Sequence, residues 1–160
     1  MSFSLPAAVL AELERILPRY PNRAAAILPA LHLVQKEFGH IPDEAIPCVA
    51  AAVGTSPADV EGVATFYTMY NRRPVGKHHL QICRNLSCSL MGAEHLLAHL
   101  SGKLGIRPGE TTPDGMFTLS VVECLGSCGT APVMQVNDDY HENLTVDSID
   151  ALLETLRAGE

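Results

Sequence analysis

The chain has 160 residues, 47% of them hydrophobic, which is enough for one domain, or two small ones, with a substantial core. Its 18 acidic and 11 basic residues give a net charge of −7, and the absence of a basic stripe argues against a nucleic-acid-binding protein. The first residues lack the pattern of a signal peptide, and the longest apolar stretches, at 24–34 and 46–53, are too short to span a bilayer, so we expect a soluble intracellular protein.

The first seventy or so residues are predicted to form four helices, because apolar residues recur there at intervals of three and four. Pro29 lies inside the second predicted helix, which is therefore expected to kink or to start late, and Gly39 suits its C-terminal end. The fourth helix has the clearest start, since Ser56 is a good cap and Pro57 fits the first helical position. The predicted helices cover residues 6–17, 23–38, 42–53 and 57–70.

A linker is predicted at 71–76, and beyond it the pattern changes to strands that alternate with helices. Thr145 is a good cap for the last helix. The second half therefore has the order β-α-β-β-β-α, which in outline is an α/β sandwich of thioredoxin type. The predicted strands cover residues 78–83, 116–122, 132–136 and 140–142, and the predicted helices cover 91–104 and 146–156.

Four of the five cysteines fall into two clusters. Cys83 and Cys88 form a C-x4-C motif, and Cys124 and Cys128 form a C-x3-C motif. Each cluster follows a predicted strand, so we expect the two cysteine loops to meet at one end of a small sheet. Four thiolates at one centre are the ligand set of a [2Fe–2S] cluster or of a structural zinc ion.

Spacing alone leaves three kinds of site open. The short polar or glycine-bearing loops at 84–87 and 125–127 let backbone N–H groups approach sulfur, which helps an iron–sulfur cluster and a zinc ion alike. Thiol redox chemistry is the weakest of the three, because no C-x-x-C motif is present. A Rieske centre is disfavoured because it would replace two cysteines with histidines, whereas four cysteines are already available.

Other candidate residues are better explained by packing than by chemistry. Cys48 lies in an apolar helix and is expected to be a small buried hydrophobe. His95 and His99 are four residues apart, yet no third ligand accompanies them, so a solvated or half-buried helix face is expected. The chain has no glycine-rich nucleotide motif, and hence no site of its own for NADH, flavin or ATP is predicted. Core packing is also predicted for Phe66, Tyr67, Met69 and Tyr70.

Four segments of the chain resemble a known family. Residues 81–92 and 123–132 resemble its two cysteine motifs, 136–145 resemble the hairpin that follows, and 62–67 resemble the last helix of its N-terminal bundle. The family is the thioredoxin-like [2Fe–2S] subunit of complex I, the bacterial respiratory NADH:quinone oxidoreductase. Related subunits occur in NAD-dependent formate dehydrogenases and multimeric hydrogenases, but the hairpin is more similar to that of the respiratory subunit.

The resemblance implies an α+β protein, with a helical bundle at residues 1–72 and a thioredoxin-like [2Fe–2S] ferredoxin domain at 73–160. It favours iron–sulfur over zinc and implies one low-potential [2Fe–2S] cluster, since an acidic protein makes the addition of an electron harder. The cofactor-binding metal ligands implied by the resemblance are Cys83, Cys88, Cys124 and Cys128.

The resemblance also implies a division of labour within an NADH dehydrogenase complex. FMN and NADH bind to a partner flavoprotein subunit, while this chain transfers single electrons and has no catalytic activity in isolation. The chain would be cytoplasmic and peripheral to the inner membrane through its complex. The helical half, including part of residues 63–70, is expected to serve assembly by packing against the flavin subunit or the second half. A competing hypothesis is a zinc-stabilised interaction module with no redox role.

Overall fold

The computed structural model describes residues 3–159. The chain forms two compact units, and the division between them falls between Pro74 and Val75, two residues beyond the boundary expected from the sequence. Among the helices of residues 3–159, none combines the length and the apolar character needed to cross a membrane.

The first unit is a bundle of four α-helices, as the sequence predicts. A single apolar cluster fills it, in which Leu13, Leu31 and Val34 are almost fully buried. The helices are α1 (Ala7–Ile16), α2 (Ile27–Phe38), α3 (Ala45–Val53) and α4 (Pro57–Phe66), with 3-10 turns at Leu17–Arg19 and Arg23–Ala26.

Local signals in the sequence account for the helix boundaries of this unit. At the start of α4, the Ser56 hydroxyl accepts a hydrogen bond from the Asp59 N–H at 3.2 Å, and the Asp59 carboxylate accepts one from the Ser56 N–H at 3.3 Å. Pro29 causes the second helix to start late, because residues 23–26 form a 3-10 turn and Pro29 then lies in the first turn of α2, where its missing N–H breaks no bond. Gly39 ends α2 with φ of 74°, as expected.

The prediction of core packing for the aromatic segment after α4 is right at one position and wrong at three. Tyr70 is buried, and its hydroxyl donates a hydrogen bond to the carbonyl of Leu28 at 2.9 Å. Phe66 is 76% exposed, and Tyr67 and Met69 are about two-fifths exposed at 39% and 41%. Helix α4 buries its Val60 and Ala64 side, so apolar residues at its C-terminal end lie on other faces.

The second unit is a four-stranded mixed sheet with three α-helices. The strand order is β2-β1-β3-β4, where β1 pairs with β2 in parallel and the other two pairings are antiparallel. The strands are β1 (His78–Cys83), β2 (Phe117–Val122), β3 (Met134–Val136) and β4 (Asp139–His141). The helices are α5 (Leu86–Leu90), α6 (Ala93–Leu104) and α7 (Val146–Ala158).

The core of the second unit joins the sheet to α6 and α7. Leu100 of α6 and Leu153 of α7 are fully buried in one apolar cluster with Leu80 and Phe117 of the sheet. Thr145 caps α7 as predicted, through a reciprocal pair of hydrogen bonds with Ser148. The predicted order of a helical half followed by an α/β half is therefore confirmed, with one extra helix, α5, that the sequence reasoning did not predict.

Candidate metal centre

The four clustered cysteines lie at the same edge of the sheet. Cys83 is the last residue of β1, and its Cα pairs with that of Val122, the last residue of β2. Cys88 lies in α5, directly beyond β1, while Cys124 follows β2 by two residues and Cys128 begins a 3-10 turn. Because β1 and β2 run in parallel, the segments that follow them leave the sheet side by side, and their cysteines lie at the same edge.

Sulfur atoms lie close to each other within each cysteine motif. The Sγ atoms of Cys124 and Cys128 are 4.0 Å apart. Burial raises the pKa of the Cys88 thiol, and its hydrogen bond with the Cys83 thiol and the nearby charges of Cys83 and Cys128 raise it further. The effect of the Cys128 charge on the pKa of Cys88 agrees with the topology, in which both motifs follow the paired ends of β1 and β2.

The two pairs differ in their exposure to solvent. Cys83 and Cys88 are each only 2% exposed and share a small apolar cluster with Ala93, Ala131 and Val133. Cys124 and Cys128 are exposed. The site thus has a dry side formed by β1 and α5 and a wet side formed by the loop after β2.

Backbone N–H groups point at two of the sulfurs. The N–H of Gly126, which has φ of 79°, donates to the Cys124 Sγ at 3.4 Å. The N–H of Val133 donates to Cys88 and lowers its pKa, against the larger effect of burial. Such donors stabilise thiolates and tune the potential of a metal–sulfur centre. The Cys83 thiol instead donates to the carbonyl of Glu123 at 2.9 Å, a bond that only the protonated thiol makes.

The donor set fits a thiolate-ligated metal centre. Two thiolates on one tetrahedral metal, at a metal–sulfur distance of about 2.3 Å, lie roughly 3.8 Å apart, and the Cys124–Cys128 separation of 4.0 Å is close to this. Within residues 3–159 no three His, Cys, Asp or Glu side chains form a shell for a single metal ion. The described cysteines form two pairs, and a binuclear cluster with two thiolates on each iron requires two such pairs.

The segment between the first two cysteines differs from its predicted structure. The sequence was expected to form a loop at 84–87, but residues Leu86–Leu90 form a short helix. The side chain of Asn85 accepts a hydrogen bond from the Leu86 N–H at 2.8 Å, and this cap starts the helix. Asn at such a position is a known helix-start signal, so this feature was available in the sequence.

Residues beyond the cysteines also hold the second cysteine loop, in contacts that no sequence motif predicts. The Tyr140 hydroxyl donates to the carbonyl of Leu125 at 2.7 Å. The Glu142 carboxylate accepts hydrogen bonds from the hydroxyls of Ser127 and Thr130, the latter at 2.7 Å, and these bonds lower its pKa, that of Ser127 having the larger effect. Both contacts join residues that are twelve or more positions apart, so no local pattern could have revealed them.

The remaining candidates from the sequence lie elsewhere. Cys48 lies in α3 of the first unit, is half-buried, and its thiol donates to the carbonyl of Phe3 at 3.6 Å. His95 is exposed, and His99 is half-buried with its Nε2 atom 2.6 Å from a carboxylate oxygen of Asp150. This agrees with the expectation of a solvated or half-buried helix face for the two histidines.

The fold, with two cysteine pairs at one edge of its sheet, defines a class of protein, and comparison with known families agrees with it. Residues 13–157 match the thioredoxin-like [2Fe–2S] ferredoxin family. The chain belongs to this family, and the expectation of a [2Fe–2S] protein rather than a zinc protein is confirmed.

Relatives narrow the class further. The chain is 56% identical over 149 residues to an NADH-quinone oxidoreductase subunit of Rhizobium meliloti, and the match covers 93% of this chain and 89% of the relative. It is 54% identical over 151 residues to NADH-quinone oxidoreductase subunit 2 of Thermus thermophilus, and that match covers 92% of this chain and 83% of the relative.

A solved structure shares the fold. An NAD+-reducing [NiFe]-hydrogenase in the air-oxidised state superposes with a TM-score of 0.71 at 24% sequence identity, over 84% of this chain. This chain spans only 23% of that hydrogenase chain, so the likeness establishes the fold alone.

Proposed function

We propose that this chain is the electron-transfer subunit of the NADH-oxidising module of a respiratory NADH:quinone oxidoreductase, and that it carries one [2Fe–2S] cluster. The observation that carries the proposal is the presence of two cysteine pairs at one sheet edge, where the parallel strands β1 and β2 end side by side. The relatives named as subunits of that oxidoreductase support the choice of host, since they match over nearly their whole length.

In this proposal the four thiolates ligate the two irons, and the bound cluster accepts and returns one electron. The residues around it have distinct tasks. The apolar surroundings of Cys83 and Cys88 keep water from one side, while the N–H groups of Gly126 and Val133 stabilise sulfur charge. The ligands are Cys83, Cys88, Cys124 and Cys128.

Carboxylates next to the cysteine segments favour a low potential, because the reduced cluster carries one more negative charge than the oxidised one. Glu94 accepts a hydrogen bond from the Ser89 hydroxyl, beside Cys88, and this bond lowers its pKa. Glu142 binds the Cys128 segment in the same way. Both groups are therefore ionised at neutral pH, and their charge opposes the addition of an electron.

The chain takes part in NADH oxidation only as a subunit. In the proposal, FMN and NADH bind to a flavoprotein partner within a larger complex, and this chain, which has no nucleotide-binding motif of its own, exchanges electrons with that flavin. We further propose that the chain is cytoplasmic and reaches the inner membrane only through its complex.

Affinity purification from the native host tests the proposal. A tagged full-length chain is expected to co-purify with the flavoprotein and the other subunits of NADH:quinone oxidoreductase, in a preparation that oxidises NADH. A molybdenum-containing formate dehydrogenase subunit or a hydrogenase subunit in place of these would move the chain to a different host complex and contradict the proposal.

A further inference from the structure

The wet side of the metal centre depends on a loop that has little regular structure of its own. Cys124 and Cys128 are exposed, and between them lie only Leu125, Gly126 and Ser127. In contrast, Cys83 is fixed by the sheet register and Cys88 by a helix. Something outside this loop must therefore keep the second pair of thiols in place.

The segment from Tyr140 to Leu144 supplies those constraints. The Tyr140 hydroxyl donates to the Leu125 carbonyl at 2.7 Å, which fixes the loop directly after Cys124. The N–H groups of Asn143 and Leu144 donate to the carbonyls of Thr130 and Pro132 at 2.7 and 3.0 Å, which fixes the chain after Cys128.

Glu142 contacts residues on both sides of Cys128. One oxygen of its carboxylate accepts hydrogen bonds from the hydroxyls of Ser127 and Thr130, which lie immediately before Cys128 and two residues after it. The two hydroxyl oxygens are also 2.8 Å from each other, so the three side chains lie in mutual contact beside the Cys128 turn. A carboxylate in this place brings two things at once, an acceptor for two donors and a negative charge.

We propose that Glu142 is a positioning residue for Cys128. Its hydrogen bonds hold the exposed cysteine turn in the shape needed for ligation, and its negative charge keeps the reduction potential of the bound cluster low. This inference rests on the proposed function, because it assumes that Cys128 ligates the cluster. Mutation of residues that orient metal ligands typically lowers metal affinity by roughly 10- to 100-fold, and an effect of this size is expected here.

Two substitutions separate the acceptor from the charge. Glu142→Gln retains a carbonyl oxygen for Ser127 and Thr130 but removes the charge, whereas Glu142→Ala removes both. Glu154→Gln is the matched control, since it removes one exposed carboxylate of α7, outside both cysteine segments. The double variant Ser127→Ala/Thr130→Val removes the donors and keeps the charge.

Each variant is made in the full-length chain and purified without air. Iron and sulfide content, the rate of iron release to a chelator, and the midpoint potential from an EPR-monitored redox titration are measured. Glu142→Ala and the double variant are expected to release iron at least several-fold faster than wild type, and Glu142→Gln to restore near-wild-type retention.

The midpoint potential of the cluster is the second measurement, and it would not change if the role of Glu142 were purely structural. Glu142→Gln is expected to raise the midpoint potential, with a tenfold change in the one-electron reduction equilibrium corresponding to about 59 mV. Because Glu142 is exposed, the rise should shrink as ionic strength increases. Glu154→Gln is expected to leave both retention and potential unchanged.

The outcomes separate this inference from the proposed function. A wild-type chain that binds no cluster would overturn both. A wild-type chain with its cluster, accompanied by a Glu142→Ala variant that retains iron equally well or a Glu142→Gln variant with unchanged potential at low salt, would overturn the role of Glu142 alone.

Discussion

Gly76 precedes β1 and lies against the start of β2, so a methyl group placed there tests how closely the two parallel strands must approach. An added Cβ would lie 2.9 Å from the carbonyl oxygen of Gly115 and 3.0 Å from the backbone C and N atoms of Phe117. Backbone atoms cannot rotate away, and the Gly76 N–H is held by the Thr118 hydroxyl at 2.6 Å. We expect Gly76→Ala to lower the free energy of unfolding by about 1–3 kcal/mol, the usual range for overpacking.

Gly102 offers a matched control in the same unit. It lies within α6, is exposed, and an added Cβ would meet no heavy atom within 4 Å. Gly102→Ala is therefore expected to raise the free energy of unfolding by about 0.5–1 kcal/mol, since alanine is the better helix former. The same chemical change is thus predicted to have opposite signs at two positions.

Urea unfolding of the full-length chain, followed by far-UV circular dichroism and by cluster absorbance, measures both effects. Because the β1–β2 register places Cys83 opposite Val122, Gly76→Ala should also lose cluster absorbance at a lower urea concentration than wild type. A Gly76→Ala protein whose unfolding free energy lies within about 0.5 kcal/mol of wild type, the range of ordinary surface substitutions, would refute this account of the strand packing.

Three further predictions concern the ligands, the bundle core and assembly. Cys88→Ala should abolish or cripple the visible absorbance of the cluster, whereas Cys48→Ala should leave it unchanged; a bleached Cys48→Ala protein would contradict the ligand assignment. Tyr70→Phe should cost about 1 kcal/mol at pH 7 through its lost hydrogen bond. Burial raises the pKa of Tyr70 to about 12, so the wild-type protein should lose stability as pH rises from about 10 to 12. The difference in free energy of unfolding between wild type and Tyr70→Phe should therefore narrow over that range. A difference that stays constant in urea unfolding would refute this. Phe66→Ser should weaken co-purification with the flavoprotein while leaving cluster content unchanged, and undiminished binding would count against a role of this exposed segment in assembly.

Elements with strong local signals could be predicted from the sequence. The alternating residues of β1 predict its bounds at 78–83, and the Ser56-Pro57 cap predicts the start of α4. These signals suffice because they depend on neighbours only a few residues away. Gathering of the cysteines could also be expected, since both motifs follow strands and the parallel pairing of β1 with β2 brings the strand ends together.

Features that depend on distant residues could not be predicted. Phe66 is an apolar residue of a type usually found in a core, but its exposure depends on which face of α4 packs against the other helices. The Glu142 contacts with Ser127 and Thr130 arise only when β4 returns beside the cysteine loop. Helix α5 is a different case, because its five residues are too few for a periodic pattern and only the Asn85 cap marks its start.

The most direct test of the account is the metal and sulfide content of the full-length chain purified without air, combined with EPR after chemical reduction. The account predicts about two irons and two sulfides per chain, a red-brown colour, and the spectrum of a single reduced [2Fe–2S] cluster that is lost in Cys88→Ala. A colourless protein with stoichiometric zinc and no EPR signal after reduction would contradict it.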